Sequence, residues 1–246
     1  MRWTDQIFRY CERGFDPHLW AEPINALSNA AFLVVAGLAA VRMARPRPPG
    51  AAAPDRLAAR LVHPLIALVA LIGVGSFLFH VMATRWAQLA DALPIGGFIL
   101  LYLVLALRCL AELSIPKVAL GLAAVIAAFA IAMAFCPSAV SGPPGGPACL
   151  NDTLGYAPAF AALLAVAVLL HRRSHPAAGG LLIAAAVLLL SMVMRTIDLD
   201  QCSALSPAGR PLGSHFLWHL LNALVLHLLL TAAVNEASRS DPLGAR

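Results

Sequence analysis

Seven long apolar segments limit what this chain can fold into more than any other feature of its sequence. They cover residues 24–43, 61–83, 87–108, 117–136, 155–171, 177–197 and 214–234. Each segment approaches or exceeds the length of about 20 residues that a helix needs to cross the hydrocarbon core of a bilayer. The sequence therefore predicts an all-α fold, a polytopic bundle of seven transmembrane helices.

The composition agrees with a membrane protein. The chain is 61% hydrophobic and 12% charged with a mean hydropathy of +0.82, whereas globular domains carry about 25% charged residues. Proline-rich loops are predicted at 46–54 and 137–147. Because no internal repeat is visible, we expect one domain over 1–246, with an extramembrane N-terminal segment (1–23) and a cytoplasmic tail (235–246).

The distribution of basic residues predicts the orientation. Eleven fall on one side: Arg42, Arg45, Arg47, Arg56, Arg60, Arg108, Lys117, Arg172, Arg173, Arg239 and Arg246. Six fall on the other: Arg2, Arg9, Arg13, Arg85, Arg195 and Arg210. The side richer in cations is predicted to be cytoplasmic, which places the N-terminus outside and the C-terminus inside. The net charge of +5 thus reflects orientation signals and gives no indication of nucleic-acid binding. Abundant alanine and a single lysine suggest a GC-rich bacterium and its inner membrane.

Four ionisable residues are predicted to lie at the same depth, near the outer leaflet. His215 and His219 are spaced i,i+4 and share one face of the last helix. His80 lies near the end of the second segment, and Asp91 follows just inside the third. A lone histidine in an apolar helix is more often a hydrogen-bonded core residue, but ionisable groups grouped within membrane segments indicate a functional site.

The residue types in this group favour a catalytic metal. Three neutral histidines that leave a fourth position open are typical of catalytic zinc, which lowers the pKa of a bound water to about 7. Asp91 would take the proton from that water. Ser76, one turn before His80, would hydrogen-bond the water or an oxyanion, although a bond to its own helix carbonyl is equally compatible with the sequence.

Other polar residues in the segments are predicted to have structural roles. Asn25, Ser28 and Asn29 share a face of the first helix. They would be either partners of the metal-binding residues or interhelical hydrogen-bonding groups, and we favour the second role. Arg195 and Asp198 are spaced for an i,i+3 ion pair. Four cysteines (Cys11, Cys136, Cys149 and Cys202) are assigned to the outer side, where disulfides persist, and they allow three pairings.

Taken together, these motifs resemble the alkaline ceramidases, seven-helix membrane hydrolases of a superfamily that includes the adiponectin receptors. The resemblance rests on Ser76-x-x-x-His80, Asp91 and His215-x-x-x-His219, in order and spacing. It also rests on Tyr10-Cys11-Glu12 and Ala21-Glu22 near the N-terminus, and on Arg195-Thr196-Ile197-Asp198 with Cys202 before the last helix. It covers nearly the whole chain.

The resemblance implies a zinc amidase that cleaves ceramide into a sphingoid base and a fatty acid. His80, His215 and His219 would bind zinc, Asp91 would be the acid/base residue, and Ser76 would stabilise the oxyanion or water. The family also implies a disulfide between Cys11 and Cys202, which leaves Cys136 and Cys149 as a second pair. Eukaryotic members bind calcium through acids at the positions of Glu12 and Glu22. Three other positions of that motif differ here (Arg9, Tyr10 and Gly14), which weakens the expectation of calcium.

A second class of function stays open on the sequence alone. The histidines would then form a structural or transported-metal site in a non-enzymatic receptor or transporter with seven helices. A transporter is disfavoured because no inverted repeat is visible, and a purely structural metal would not require Asp91 and Ser76 beside it.

For the hydrolase, we expect the partner to be a membrane lipid substrate, either ceramide or another N-acyl lipid.

Overall fold

A computed structural model of the chain describes residues 2–46, 55–136, 149–206 and 210–238. It contains seven helices long and apolar enough to cross a membrane, which confirms the predicted fold class. We number them α1 (Pro23–Met43), α2 (Arg56–Met82), α3 (Arg85–Leu110), α4 (Ile115–Phe135), α5 (Thr153–Arg172), α6 (Ala178–Thr196) and α7 (His215–Ser238).

Several predicted features fall outside the described residues. The predicted loops at 46–54 and 137–147 lie there almost entirely, as do Arg47, Arg239 and Arg246. The predicted tail at 235–246 begins inside α7, because that helix continues to Ser238.

One helix start is capped by a side chain, and two helices have an irregular turn. Asp55 caps α2, since its carboxylate accepts the backbone N–H groups of Leu57 and Ala58 at 2.8 and 3.0 Å. The α-helical geometry of α1 is interrupted at Asn29. The last residues of α3, Ala106–Leu110, form a π-helical turn.

The helices pack around an apolar core in which α2, α3 and α7 are the most deeply buried. The helix pairs α2–α3 and α6–α7 are neighbours, and α1 contacts both α2 and α7. Only 6% of the apolar window of α4 is buried, against 56% in α7, so most of the surface of α4 faces outward. In a bilayer, that surface would face lipid.

A glycine allows one close helix crossing. A Cβ added to Gly75 on α2 would collide with the backbone carbonyl of Ala90 on α3. Small residues let helix backbones approach in this way. The crossing brings the residues that follow each of these positions, Ser76 and Asp91, to the same level of the bundle.

The segment before α1 folds across one end of the bundle, which we call the site end. Gln6 forms an isolated antiparallel bridge with Thr84. Cys11 forms a disulfide with Cys202 (Cα–Cα 5.4 Å), and Cys136 forms one with Cys149. Gly213 has φ of +65°, and a Cβ there would meet the Asp198 carboxylate and Cys11, so this approach depends on glycine.

Candidate metal centre

Three histidines converge at the site end. His80 lies in the last turn of α2, and His215 and His219 occupy the first two turns of α7. Each is at most 2% exposed, and one ring nitrogen from each lies within 4.8 Å of the others. The group could therefore hold one metal ion.

Hydrogen bonds to the outer nitrogens orient two of these rings. Nδ1 of His80 lies 2.6 Å from Oε2 of Glu22, and Nδ1 of His219 lies 2.7 Å from Oγ of Ser28. Because Glu22 is a carboxylate, Nδ1 of His80 is the protonated nitrogen. Ser28 gives its own proton to the carbonyl of Asn25 at 2.8 Å, so it accepts from Nδ1 of His219. When both rings are neutral, each Nε2 atom therefore carries a lone pair.

The facing nitrogens fit a metal ion. Nε2 of His80 and Nε2 of His219 lie 3.1 Å apart, a distance at which two lone pairs repel unless a cation lies beside both. Partners that fix the outer nitrogen in this way are a regular feature of metal-binding histidines.

His215 is held by its backbone and by ring stacking, and one of its ring nitrogens has no partner in the described part of the chain. Its backbone N–H donates to Oδ1 of Asp198 at 2.8 Å, and its ring stacks on Tyr10 at 3.7 Å between centroids. Its Nδ1 is buried and has no hydrogen-bond partner among the described residues. Buried polar atoms are nearly always partnered, so this nitrogen is available to a ligand of the protein.

The N-terminal acids do not fit a calcium site. Both Glu12 oxygens accept backbone N–H groups at the start of α1, from Ile24 and Asn25 at 2.8 Å each. Glu22 lies between Nε of Arg13 (2.6 Å) and His80. Burial opposes the ionisation of Glu22, but His80 and Arg13 outweigh it and hold the pKa of Glu22 below its usual value. The calcium ligands that the resemblance implies are therefore already engaged.

Arg13 supplies the positive charge at this place. Its side chain is 0% exposed, and all of its N–H groups have acceptors. Besides Glu22, it donates to the carbonyls of Asp16, His18, His80 and Val81, at 3.1, 2.8, 2.7 and 3.2 Å. The guanidinium thus holds the N-terminal segment, Glu22 and the end of α2 together.

Ser76 and Asp91 line the same cavity as His215 and His219. Both residues therefore border the space beside the histidines. The structure brings together the five residues that the sequence singled out for zinc chemistry.

The cavity leads away from the histidines toward the opposite end of the bundle. It has a volume of about 130 Å³ and a mostly apolar wall. Along α7 its lining runs from His215 to Leu229, about 21 Å at the rise of an α-helix. That exceeds the roughly 15 Å that one leaflet of hydrocarbon occupies. The length of this lining and its apolar character are features of an acyl-chain site.

The predicted Arg195–Asp198 ion pair is wrong. Asp198 accepts the backbone N–H groups of Cys11 (2.9 Å), Ser214 (2.8 Å) and His215, which anchors the start of α7. Arg195 turns into the cavity and donates to the Tyr10 hydroxyl at 3.0 Å. Burial raises the pKa of Tyr10 to about 12, so that hydroxyl is neutral.

The sequence interpretation missed three residues at the site. Ser28 was assigned to interhelical bonding, but it is the partner of His219. Tyr10 stacks on His215, and Arg13 binds Glu22. Serine on a helix face and arginine in an N-terminal segment are common, and no local pattern distinguishes these residues from their ordinary counterparts.

Comparison with known protein families gives a match to the family model described as Ceramidase, over residues 7–241. The match covers nearly the whole chain and all the residues of the site. No curated protein matches the chain.

Proposed function

The chain belongs to the ceramidase family, and from that premise we propose that it is a zinc-dependent membrane amidase. It would hydrolyse the N-acyl bond of ceramide or of a related N-acyl lipid, releasing a free amine and a fatty acid. The observation that carries the proposal is the buried histidine triad, with Ser76 and Asp91 on the wall of one apolar cavity.

His80, His215 and His219 would hold the metal. Zinc bound at such a site polarises a carbonyl and acidifies water at neutral pH. The protein's contribution is to fix the rings. Glu22 and Ser28 hold two of them by their Nδ1 atoms, and Tyr10 supports the third by stacking. Rings held in this way lose little freedom when the metal binds.

Asp91 is the residue we propose as general base and then acid. Its carboxylate would take a proton from the attacking water and hand it to the amide nitrogen as the C–N bond breaks. The amine leaves neutral, and the hydroxyl oxygen stays with the acyl carbon. Ser76 borders the same cavity as Asp91, and we propose that it orients that carboxylate and donates to the developing oxyanion.

The shape of the cavity supports a lipid amide as the substrate. An acyl chain lying in the apolar part would place its carbonyl carbon at the histidine end, beside Asp91. The amine portion would then extend toward the N-terminal segment and the loop before α7. We propose that this end faces the outside of the cell, since the cations on the opposite side are the more numerous.

The test is lipid mass spectrometry with purified protein and a panel of N-acyl amides, paired with metal analysis. We expect about one zinc per chain and fatty-acid release that a chelator abolishes and added zinc restores. Stoichiometric zinc without turnover of any panel member would favour the receptor or transporter class. Full turnover of metal-free protein would refute the zinc mechanism.

A further inference from the structure

A buried arginine faces the proposed reaction site from the last turn of α6. Arg195 is 7% exposed, and it lines the cavity together with Asp91, His215 and His219. A guanidinium at this depth in a membrane protein is costly unless it is paired or functional.

Most hydrogen-bonding capacity of Arg195 is unused. The guanidinium has five N–H groups, yet the structure gives its side chain one hydrogen bond, from Nη1 to the Tyr10 hydroxyl at 3.0 Å. Nε is buried and has no partner among the described residues. The one acceptor is a neutral phenol, which does not cancel the positive charge.

Three carboxylates lie near Arg195, and none of them is its ion-pair partner. Asp91 shares the cavity wall with Arg195, and the other two are engaged elsewhere. Asp152 pairs with Arg9, and Asp198 receives three backbone N–H groups. Within the part of the chain that the structure describes, no carboxylate forms an ion pair with Arg195. Arg13 is the useful contrast, since all its donors are satisfied and it pairs with Glu22.

Aromatic rings hold the guanidinium in place without neutralising it. Its central carbon lies 5.4 Å from the ring centroids of Tyr10 and Tyr156 and 5.2 Å from that of Trp218. Cation–π contacts of this kind stabilise a desolvated cation, but ring faces offer no acceptor oxygen to the remaining N–H groups. The cavity wall therefore carries a fixed guanidinium with free donors, in addition to the Asp91 carboxylate.

We infer that Arg195 binds an anionic oxygen group on the amine portion of the substrate, close to the scissile amide. This inference rests on the proposed amidase function and names its substrate class. The acyl chain would occupy the apolar cavity that leads away from the histidines, so only the amine portion stays beside Arg195. A carboxylate or a phosphate there would accept two parallel N–H bonds from the guanidinium.

Four substrates with one acyl chain test the inference with the unmodified protein. They are N-palmitoyl glycine, its methyl ester, N-palmitoyl ethanolamine and the phosphate ester of that ethanolamide. We expect KM for at least one anionic member to be about ten- to a hundredfold below that of its neutral counterpart, the range of a hydrogen bond to a charged group. Preference for the glycine form would assign a carboxylate, and preference for the phosphate form a phosphate. Equal KM values for charged and neutral members would overturn the inference.

Variants separate recognition from a structural role. Arg195→Gln should raise KM for the anionic member about tenfold more than KM for its neutral counterpart, while Arg195→Lys should retain part of the preference. Zinc content checks that the site is intact. If Arg195→Gln kept the full preference, or altered only inhibition by palmitate, the assignment to the amine portion would be wrong. If the variant does not fold, the KM values of the unmodified protein for the four substrates still test the inference.

A binding measurement keeps the two proposals distinct. Urea analogues of N-palmitoyl glycine and of its methyl ester cannot be hydrolysed as amides, and their binding can be measured by thermal shift. Tighter binding of the charged analogue, lost in Arg195→Gln, would support the inference even if no amide were cleaved. Cleavage of neutral amides without any charge preference would support the amidase and refute the role of Arg195.

Discussion

Nε2 of His80 and Nε2 of His219 lie 3.1 Å apart, although 139 residues separate them in the chain. Glu22 and Ser28 hold the protons of these two rings on the opposite nitrogens. The pair therefore presents two lone pairs to one point inside the bundle. A metal ion bound beside both nitrogens would relieve the repulsion between these lone pairs.

Substitutions of the site residues should have different effects on zinc content and turnover. Replacing His80, His215 or His219 by alanine should remove zinc and turnover together, because a ligand is lost. Asp91→Asn should keep zinc while lowering kcat by roughly 10²–10⁴, the usual contribution of a positioned acid/base group. Metal analysis and kinetics on the same preparations check this. Full activity of the Asp91→Asn variant would show that Asp91 is not the acid/base residue.

Ser28 should affect zinc affinity although it is not a zinc ligand. Ser28→Ala removes the acceptor that fixes Nδ1 of His219, and loss of such a partner typically weakens metal binding by about 10–100-fold. Competition with a chelator measures the change. Ser238→Ala, which removes a hydroxyl bonded within its own helix, is the control and should bind zinc normally. Equal affinities in the two variants would contradict the role of Ser28.

The cavity should set the acyl-chain preference. Ala162 lines it partway along α5, and Ala162→Phe would block its far part. We expect a selective loss of kcat/KM for long-chain amides with short-chain amides little affected. Ala161→Phe is a matched control, because Ala161 is exposed on the outer face of the same helix. A uniform loss for all chain lengths would mean that the acyl chain lies elsewhere.

The protein should not require calcium, because the Arg13 guanidinium already neutralises Glu22. Calcium chelation should leave the unfolding temperature and turnover of the unmodified protein unchanged. Arg13→Gln leaves Glu22 buried without its cation, and breaking a buried pair of this kind costs about 3–5 kcal/mol of stability. Thermal unfolding in detergent, with and without calcium, measures both effects. Activation by calcium would show that the acids bind it despite Arg13.

The orientation can be tested with two single cysteines. Phe15 is 82% exposed in the N-terminal segment, and Arg172 is exposed at the opposite end of the bundle. In intact cells, a membrane-impermeant thiol reagent should label Phe15→Cys and spare Arg172→Cys. The reverse pattern would place the site end in the cytoplasm.

The sequence determined the seven helices and most of the residues at the centre. Long apolar runs must form helices in a bilayer, and the i,i+4 spacing of His215 and His219 fixes their common face whatever the neighbouring helices do. The depth of His80 and Asp91 follows from their positions near segment ends. These properties are local, so they can be deduced before the helices are packed.

Tertiary structure decided the partners of those residues. Ser28 reaches His219, Arg13 engages Glu22, and Arg195 turns from Asp198 to the cavity. Each choice depends on how separate elements approach, as where Gly75 lets α2 press against Ala90. Spacing along one helix shows which pairs are within reach, but burial and competing donors select among them. Asp198 is an example: three backbone N–H groups donate to its carboxylate, so it does not pair with Arg195.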